Sequence, residues 1–252
     1  MPESAKILIV AKTYPVLSVK YKELVCTGGV RENGSFVRLY PIDFRYRPYW
    51  EWYKKYQWIK VDIEKNPKDP RPESFRPISR ITPLGPPLST KNAWAERKKY
   101  VMAQGVTTMC KLRREGQNVC SFGIIRPREV LDLKIQRDSE SWNPRTLTKL
   151  SQLNLFGPQQ KQLEKIPYKF RYVFYCEDPK CKGHKESIID WEVGRLFLRL
   201  RNTHQSEEIA IEKVKDKLLT DLCSDRYDMH FFVSTILQYG SWVVVGLFYP
   251  PR

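Results

Sequence analysis

Apolar and polar residues alternate along Trp58-Ile59-Lys60-Val61-Asp62-Ile63-Glu64, the period of a strand with one buried face. Phe36-Val37-Arg38-Leu39-Tyr40 alternates in the same way, and Ile7-Leu8-Ile9-Val10 is a short continuous apolar run. Glu23-Leu24-Val25-Cys26-Thr27 reads as a further strand, with Gly28-Gly29 after it as a turn. Asn33-Gly34 is a strong hairpin signal, because both residues tolerate the positive φ that a two-residue turn requires. Residues 1–65 are therefore expected to form a β-rich module, a small antiparallel sheet or barrel.

The pattern then changes. Residues 66–88 carry seven prolines, Pro67, Pro70, Pro72, Pro77, Pro83, Pro86 and Pro87. Proline removes backbone donors and fixes φ, so this stretch reads as an extended, Pro-rich connector. Residues 89–252 read as a mixed part, standing on its own core or sharing one with 1–65. A helix is expected from Trp94 to Arg113, β-structure from Val119 to Ile135 with Pro127 at an edge or bulge, a short helix over 144–155, and a strand from Tyr168 to Tyr175. Ser187 and Asp190 form an S-x-x-D pattern that predicts a helix opening at Ser187, with Ile189, Val193, Leu196 and Leu200 as its buried stripe. Ser206 opens the next, burying Ile211, Val214, Leu218 and Leu222. Met229 to Leu237 and Trp242 to Tyr249 form a closing hairpin. The fold class is α+β.

Charge adds to this picture. With 44 Lys and Arg against 28 Asp and Glu, the net charge of +16 predicts attraction to a polyanion, and nucleic acid, DNA or RNA, is the expected partner. No stretch has the roughly 18 apolar residues of a membrane span, so no membrane partner is expected. The first residues lack the apolar stretch and small-residue cleavage site of a secretory signal, so a cytoplasmic location, where thiols stay reduced, is expected.

Two thiols and an imidazole lie close together in Cys176-Glu177-Asp178-Pro179-Lys180-Cys181-Lys182-Gly183-His184, a C-x4-C-x2-H spacing with Pro179 and Gly183 to turn the chain. Soft sulfur and nitrogen donors held on a tight loop predict a metal site, with zinc as the expected ion. A fourth ligand has to come from elsewhere, and Cys110 and Cys120 are the candidates. An iron–sulfur cluster on Cys110, Cys120, Cys176 and Cys181 is the alternative, and it leaves His184 spare. Cys26 and Cys223 read as packing residues.

Between Phe36 and Lys60 stand ten aromatic residues threaded with six cations, opposed only by Asp43 and Glu51. Ten rings in so short a stretch exceed what one small core takes up. Rings beside cations stack on unpaired bases while neutralising phosphates, which suits single strands. Arg38, Tyr40, Arg45, Arg47, Lys54 and Lys55 are the expected contacts. The same strip also suits a protein partner.

Glu186, Asp190 and Glu192 beside His184 are the one carboxylate cluster with a nuclease-like composition, but Asp190 already has a role at a helix start. Phosphate-binding, dinucleotide-binding and serine-hydrolase motifs are absent, and no catalytic residue is identified. The expected function is nucleic-acid binding with a structural metal. The alternatives are a metal-dependent nuclease or base-modifying enzyme, and an interaction subunit of a larger complex.

Overall fold

The structure, a computed structural model, describes residues 2–153 and 161–252. Its first part contains β1 (Glu3–Lys12), β2 (Val16–Ser18), β3 (Lys22–Arg31), β4 (Phe36–Ile42), β5 (Trp58–Lys65), β6 (Ser74–Pro77) and β7 (Thr82–Leu84). Five of these close on themselves. β1 pairs antiparallel with β3 and with β5, β3 pairs with β4, β4 runs parallel to β6, and β6 returns antiparallel to β5. β2 and β7 attach at the rim. The expected barrel is thus present.

The second part contains α1 (Lys91–Val101), α2 (Met109–Glu115), β8 (Phe122–Ile125), β9 (Pro127–Arg137), α3 (Pro144–Leu153), β10 (Tyr168–Cys176), β11 (His184–Ile188), α4 (Trp191–His204), α5 (Glu207–Lys215), β12 (His230–Ile236) and β13 (Ser241–Phe248). A π-helical turn, Asp216–Asp221, extends α5. The six strands form one mixed sheet in the order β8-β12-β13-β11-β10-β9, with β11 parallel to β13. The α+β class and the closing hairpin are as expected.

Three apolar layers follow from the strand patterns. Ile7 and Ile9 of β1 point into the barrel with Val37, Leu39, Ile59 and Val61. Their neighbours Leu8 and Val10 point the other way, onto Phe122, Phe232, Val243 and Val245 of the second sheet. Both faces of β1 are buried, which is why its sequence runs continuously apolar instead of alternating. The far face of the second sheet, with Phe231 and Val233, carries Val193, Phe197 and Val214 of α4 and α5.

Polar groups cross the same seam. Arg38, 1% exposed, donates to Ser121 Oγ at 3.0 Å, to the Ser121 carbonyl at 2.7 Å and to Ser234 Oγ at 2.5 Å. Arg71 is clamped by Asp69 and donates to the Thr235 carbonyl and hydroxyl.

The structure corrects several local readings. Gly28 and Gly29 lie inside β3, not in a turn, because a Cβ at Gly28 would stand 2.4 Å from Phe122 and one at Gly29 would stand 2.2 Å from Ile7. The proline-rich stretch is no mere connector: it supplies β6, the short strand that closes the barrel between β4 and β5, and β7 at the rim, where few backbone donors are needed. Gly105, with its φ of +77°, interrupts the helix expected over 94–113, as its sequence position suggests, and leaves two helices, α1 and α2. Ser187 lies in β11, and Asp190 is the true cap of α4, its carboxylate accepting from Glu192 N. Pro127 opens the edge strand β9, as expected. The helix expected over 144–155 is α3, and its last two expected positions lie outside the described residues.

Candidate metal centre and basic surface

β10 and β11 are neighbours joined by a tight reversal, and the metal-like motif is that reversal. Asp178 and Pro179 begin its turn. The Cys181 amide donates to the Asp178 carbonyl at 3.0 Å, and the Lys180 amide donates to the Asp178 carboxylate at 2.9 Å. Gly183 then takes φ +97°, the left-handed region that favours glycine. This curl aims the amides of Cys176 and Gly183 at Cys181 Sγ, at 3.3 and 3.4 Å.

Cys110, on the first turn of α2, supplies the fourth donor. Sγ of Cys110, Cys176 and Cys181 and a ring nitrogen of His184 all lie within 4.8 Å of one another, with Cys110 Sγ 3.3 Å from His184 Nε2. Tetrahedral ligation with metal–sulfur bonds of about 2.3 Å sets neighbouring sulfurs about 3.8 Å apart, so this donor set fits a single metal ion. Cys120 is not part of it; its thiol donates to the Phe122 carbonyl at 3.4 Å. α2 is what selects between the two candidates. Thr108 caps it by accepting from Lys111 N, and Met109 and Leu112 bury beneath it, which fixes Cys110 over the loop.

The electrostatics suit ligation. Burial pushes the Cys110 thiol up to about 12, and the crowding Cys176 and Cys181 add to this, so without a cation three such sulfurs resist ionising together. Burial opposes ionisation of Cys181, but the amides of Cys176 and Gly183 together with the neighbouring Cys176 and Cys110 thiols hold its pKa below the usual thiol range. Burial, then the Arg113 charge, lowers the His184 pKa and favours the neutral imidazole that binds metals. Ion pairs brace both sides: Arg113 with buried Glu186 at 2.5 Å, and Arg114 with Asp178 at 2.9 Å.

The residues expected to touch nucleic acid separate into two groups. Arg38 is buried in the seam and cannot reach a phosphate. Arg45 pairs with Glu23 at 3.0 Å, and Arg47 pairs with Asp43 and Glu51. Lys55 pairs with Glu192 at 2.8 Å. Tyr40 is half-buried and Lys54 is exposed. Many of the rings serve inside the fold. Lys12 lies 3.8 Å from the Phe44 ring centre, 4.5 Å from that of Trp191 and 5.6 Å from that of Tyr53. Burial pulls this amine down to about 8, against the pull of Glu192 and Asp190. The most open rings of the segment are Tyr49, 82% exposed, and Trp50, 68% exposed, with Trp52 at 38%.

A second cationic surface lies on the metal loop itself. Lys180, Lys182 and Lys185 are exposed, and among the described residues no carboxylate lies within ion-pair distance of them. Arg113 and Arg114 on α2 point at the same hairpin but are paired there with Glu186 and Asp178, and Lys111 pairs with Glu115. The sequence motif contained two of these lysines, but their grouping with α2 depends on the fold.

The three carboxylates beside His184 do not converge. Glu186 faces Arg113, while Asp190, which caps α4, and Glu192 meet at the Lys55 ammonium, at 4.0 and 2.8 Å, and not at Glu186 or His184. Among the described residues no helix is long and apolar enough to cross a membrane.

Residues 104–252 match the family described as Domain of unknown function (DUF8757), and residues 3–103 match Domain of unknown function (DUF8758). The first match spans more than half of the chain, and the chain belongs to that family. No curated protein matches it.

Proposed function

We propose that this member of the DUF8757 family is a nucleic-acid-binding protein whose contact surface is the loop stapled by a structural zinc ion. The observation that carries the reading is the set of exposed lysines, Lys180, Lys182 and Lys185, on the metal hairpin, which have no carboxylate within ion-pair distance among the described residues. A metal that fixes a short loop presents such charges without the entropic cost of ordering them on contact. Zinc is the preferred ion, because a closed set of three thiolates and one imidazole is a structural zinc arrangement. An all-cysteine iron–sulfur cluster would need Cys120, whose thiol points to the Phe122 carbonyl.

The barrel supports the reading at the level of fold alone. Counted over the five barrel strands β1, β3, β4, β5 and β6, the third and fifth, β4 and β6, run parallel at the closure, which is the strand order of OB-fold barrels; these bind oligonucleotides on the face of their second and third strands, here β3 and β4. Here that face is covered by Phe122 and Ser121 of the second sheet, so the loop carries the proposal.

Binding should weaken steeply with salt for DNA or RNA at a starting concentration of about 50 mM. A Lys180→Gln, Lys182→Gln, Lys185→Gln triple variant should keep its metal and its stability while flattening the slope of log affinity against log salt by roughly 2–3. Fluorescence anisotropy with single- and double-stranded probes reads this directly. An unchanged slope would move the contact off the loop. If no nucleic acid binds at all, the reading fails, and the exposed Tyr49 and Trp50 favour a protein partner instead.

No cleavage should accompany binding in Mg²⁺ or Mn²⁺, because Lys55 already occupies the space between Asp190 and Glu192, and Glu186 is held apart by Arg113. Degradation of the probe that disappears in an Asp190→Asn, Glu192→Gln variant would replace this reading with a nuclease.

A further inference from the structure

The barrel covers one face of the second sheet only in part. Phe232 of β12 and Val243 and Val245 of β13 point into the seam. The same face continues across Ser187 of β11, which pairs with Val243, and then across β10 and β9, where Lys185, Lys169 and Lys134 are exposed. β10 divides by its alternation. Phe170, Tyr172 and Phe174 are buried on the side of α4 and α5, while Arg171, Val173 and Tyr175 between them are half-buried on the open side.

Strand register orders this open side. Arg171 lies between Ser187 and Lys134, and Val173 lies between Lys185 and Asp132. Tyr175 lies beside Glu129, and on its other flank a Cβ at Gly183 of the metal loop would stand 3.4 Å from its ring, in ordinary contact. Charge is graded across the strands. Lys185 on β11 continues the row of Lys180 and Lys182, and among the described residues none of the three has a carboxylate within ion-pair distance. Arg171 in the middle is held by neutral groups, donating to Ser187 Oγ at 3.2 Å and to Gln136 Oε1 at 2.7 Å. The acids stand on β9, the outer strand: Asp132, met by Lys134 and Lys215 at 2.9 and 3.3 Å, and the exposed Glu129. Arg128, exposed on the same strand, places its guanidinium 5.4 Å from the centre of the Tyr175 ring.

These features select one occupant. Cations free of carboxylates along the β11 side suit a phosphate chain. A ring with a guanidinium beside it supplies planes on which bases stack. Three strands side by side are too broad for the major groove of a duplex, which admits a helix or a two-stranded ribbon. An acidic peptide would use the cations and leave the planes idle. We propose that this open face holds unpaired bases of a single strand, with a base stacked on Tyr175 and the phosphates running along Lys185 and the metal loop. The inference rests on the loop being the nucleic-acid contact. It adds the class of strand, and it makes Tyr175 the residue that carries the preference.

The test compares probes of about 12 nucleotides on the full chain by fluorescence anisotropy: a mixed-sequence single strand, its duplex, and an abasic strand of the same length. Each is made as DNA and as RNA, and the polymer that binds tighter is carried through the variants. The intact strand should bind roughly tenfold tighter than the abasic strand, and tighter than the duplex. Tyr175→Leu should bring the ratio of intact to abasic affinity to within about twofold of one, and Tyr175→Phe should restore it, because a phenyl ring stacks without the hydroxyl. Tyr175 touches the metal loop, so metal content is measured for each variant. If Tyr175→Leu loses its metal, Arg128→Gln decides: it should lower the ratio by roughly threefold. The triple lysine variant of the loop should weaken intact and abasic strands alike and keep the ratio. The salt slope thus tests the loop, and the ratio tests this face. A parental ratio near one, a duplex bound tighter than the single strand, or a ratio unmoved by the deciding variant would overturn the proposal and leave the loop a contact for phosphates alone. Absence of binding by every probe would overturn both.

Discussion

Replacing Cys181 by serine should remove the bound metal and lower the stability of the protein by about 3–5 kcal/mol. Zinc-finger peptides owe their entire fold to the metal, at about 10–16 kcal/mol. The loss here should be smaller, because the sheet that carries the loop has its own core in Phe170, Tyr172, Phe174 and Phe231. What the ion adds is a link between α2 and the β10–β11 loop, which are far apart in sequence: Cys110 and His184 are separated by 74 positions. α2 is only seven residues long and is marginal without that link. Urea titration with and without chelator should show the parent falling to the stability of the variant once the ion is removed. Hydrogen exchange should localise the loosening to α2 and the loop. Cys120→Ser is the control, and it should keep a full complement of metal. Elemental analysis that finds neither zinc nor iron in protein purified without chelator would refute the metal centre.

Arg38→Ala should destabilise by a similar amount, about 3–5 kcal/mol, through a different cause. Arg38 comes from the barrel, and its two terminal nitrogens donate to Ser121 and Ser234 on the second-sheet side while its Nε has no partner. Glu73 completes the arrangement by accepting from the Ser121 amide and hydroxyl. Truncation leaves a cavity and several buried polar atoms without partners, and each such atom costs about 1–3 kcal/mol. Lysine should not rescue the loss, since one ammonium cannot reproduce the fork that reaches two serines. A double-mutant cycle with Ser234→Ala should give coupling of about 1 kcal/mol or more, because the two groups share one hydrogen bond. A loss below about 1 kcal/mol for Arg38→Ala would mean that apolar packing of Leu8 and Val10 on Phe122 and Phe232 joins the two parts without this network.

Features governed by neighbours in sequence were legible from the chain alone. Asn33-Gly34 makes the β3–β4 hairpin, with Gly34 at φ +84°, because that turn's geometry depends on its own residues. Ser206 caps α5 through Ile209 N, three residues on. The curl from Cys176 to His184 needed only its own Pro179 and Gly183 to gather three donors. Features governed by contacts across the fold were not legible. Cys110 and Cys120 are equivalent as thiols, and the docking of Met109 and Leu112 alone brings the first over the loop. Gly28-Gly29 resembles a turn until Phe122 and Ile7 press on it from other strands. Arg38, Arg45 and Arg47 share the composition of a phosphate-binding strip, yet buried serines and carboxylates claim them. A side chain's chemistry is written in the sequence. Whether it faces solvent or a partner depends on which strand crosses it, and the closure of the barrel onto the second sheet decided that here.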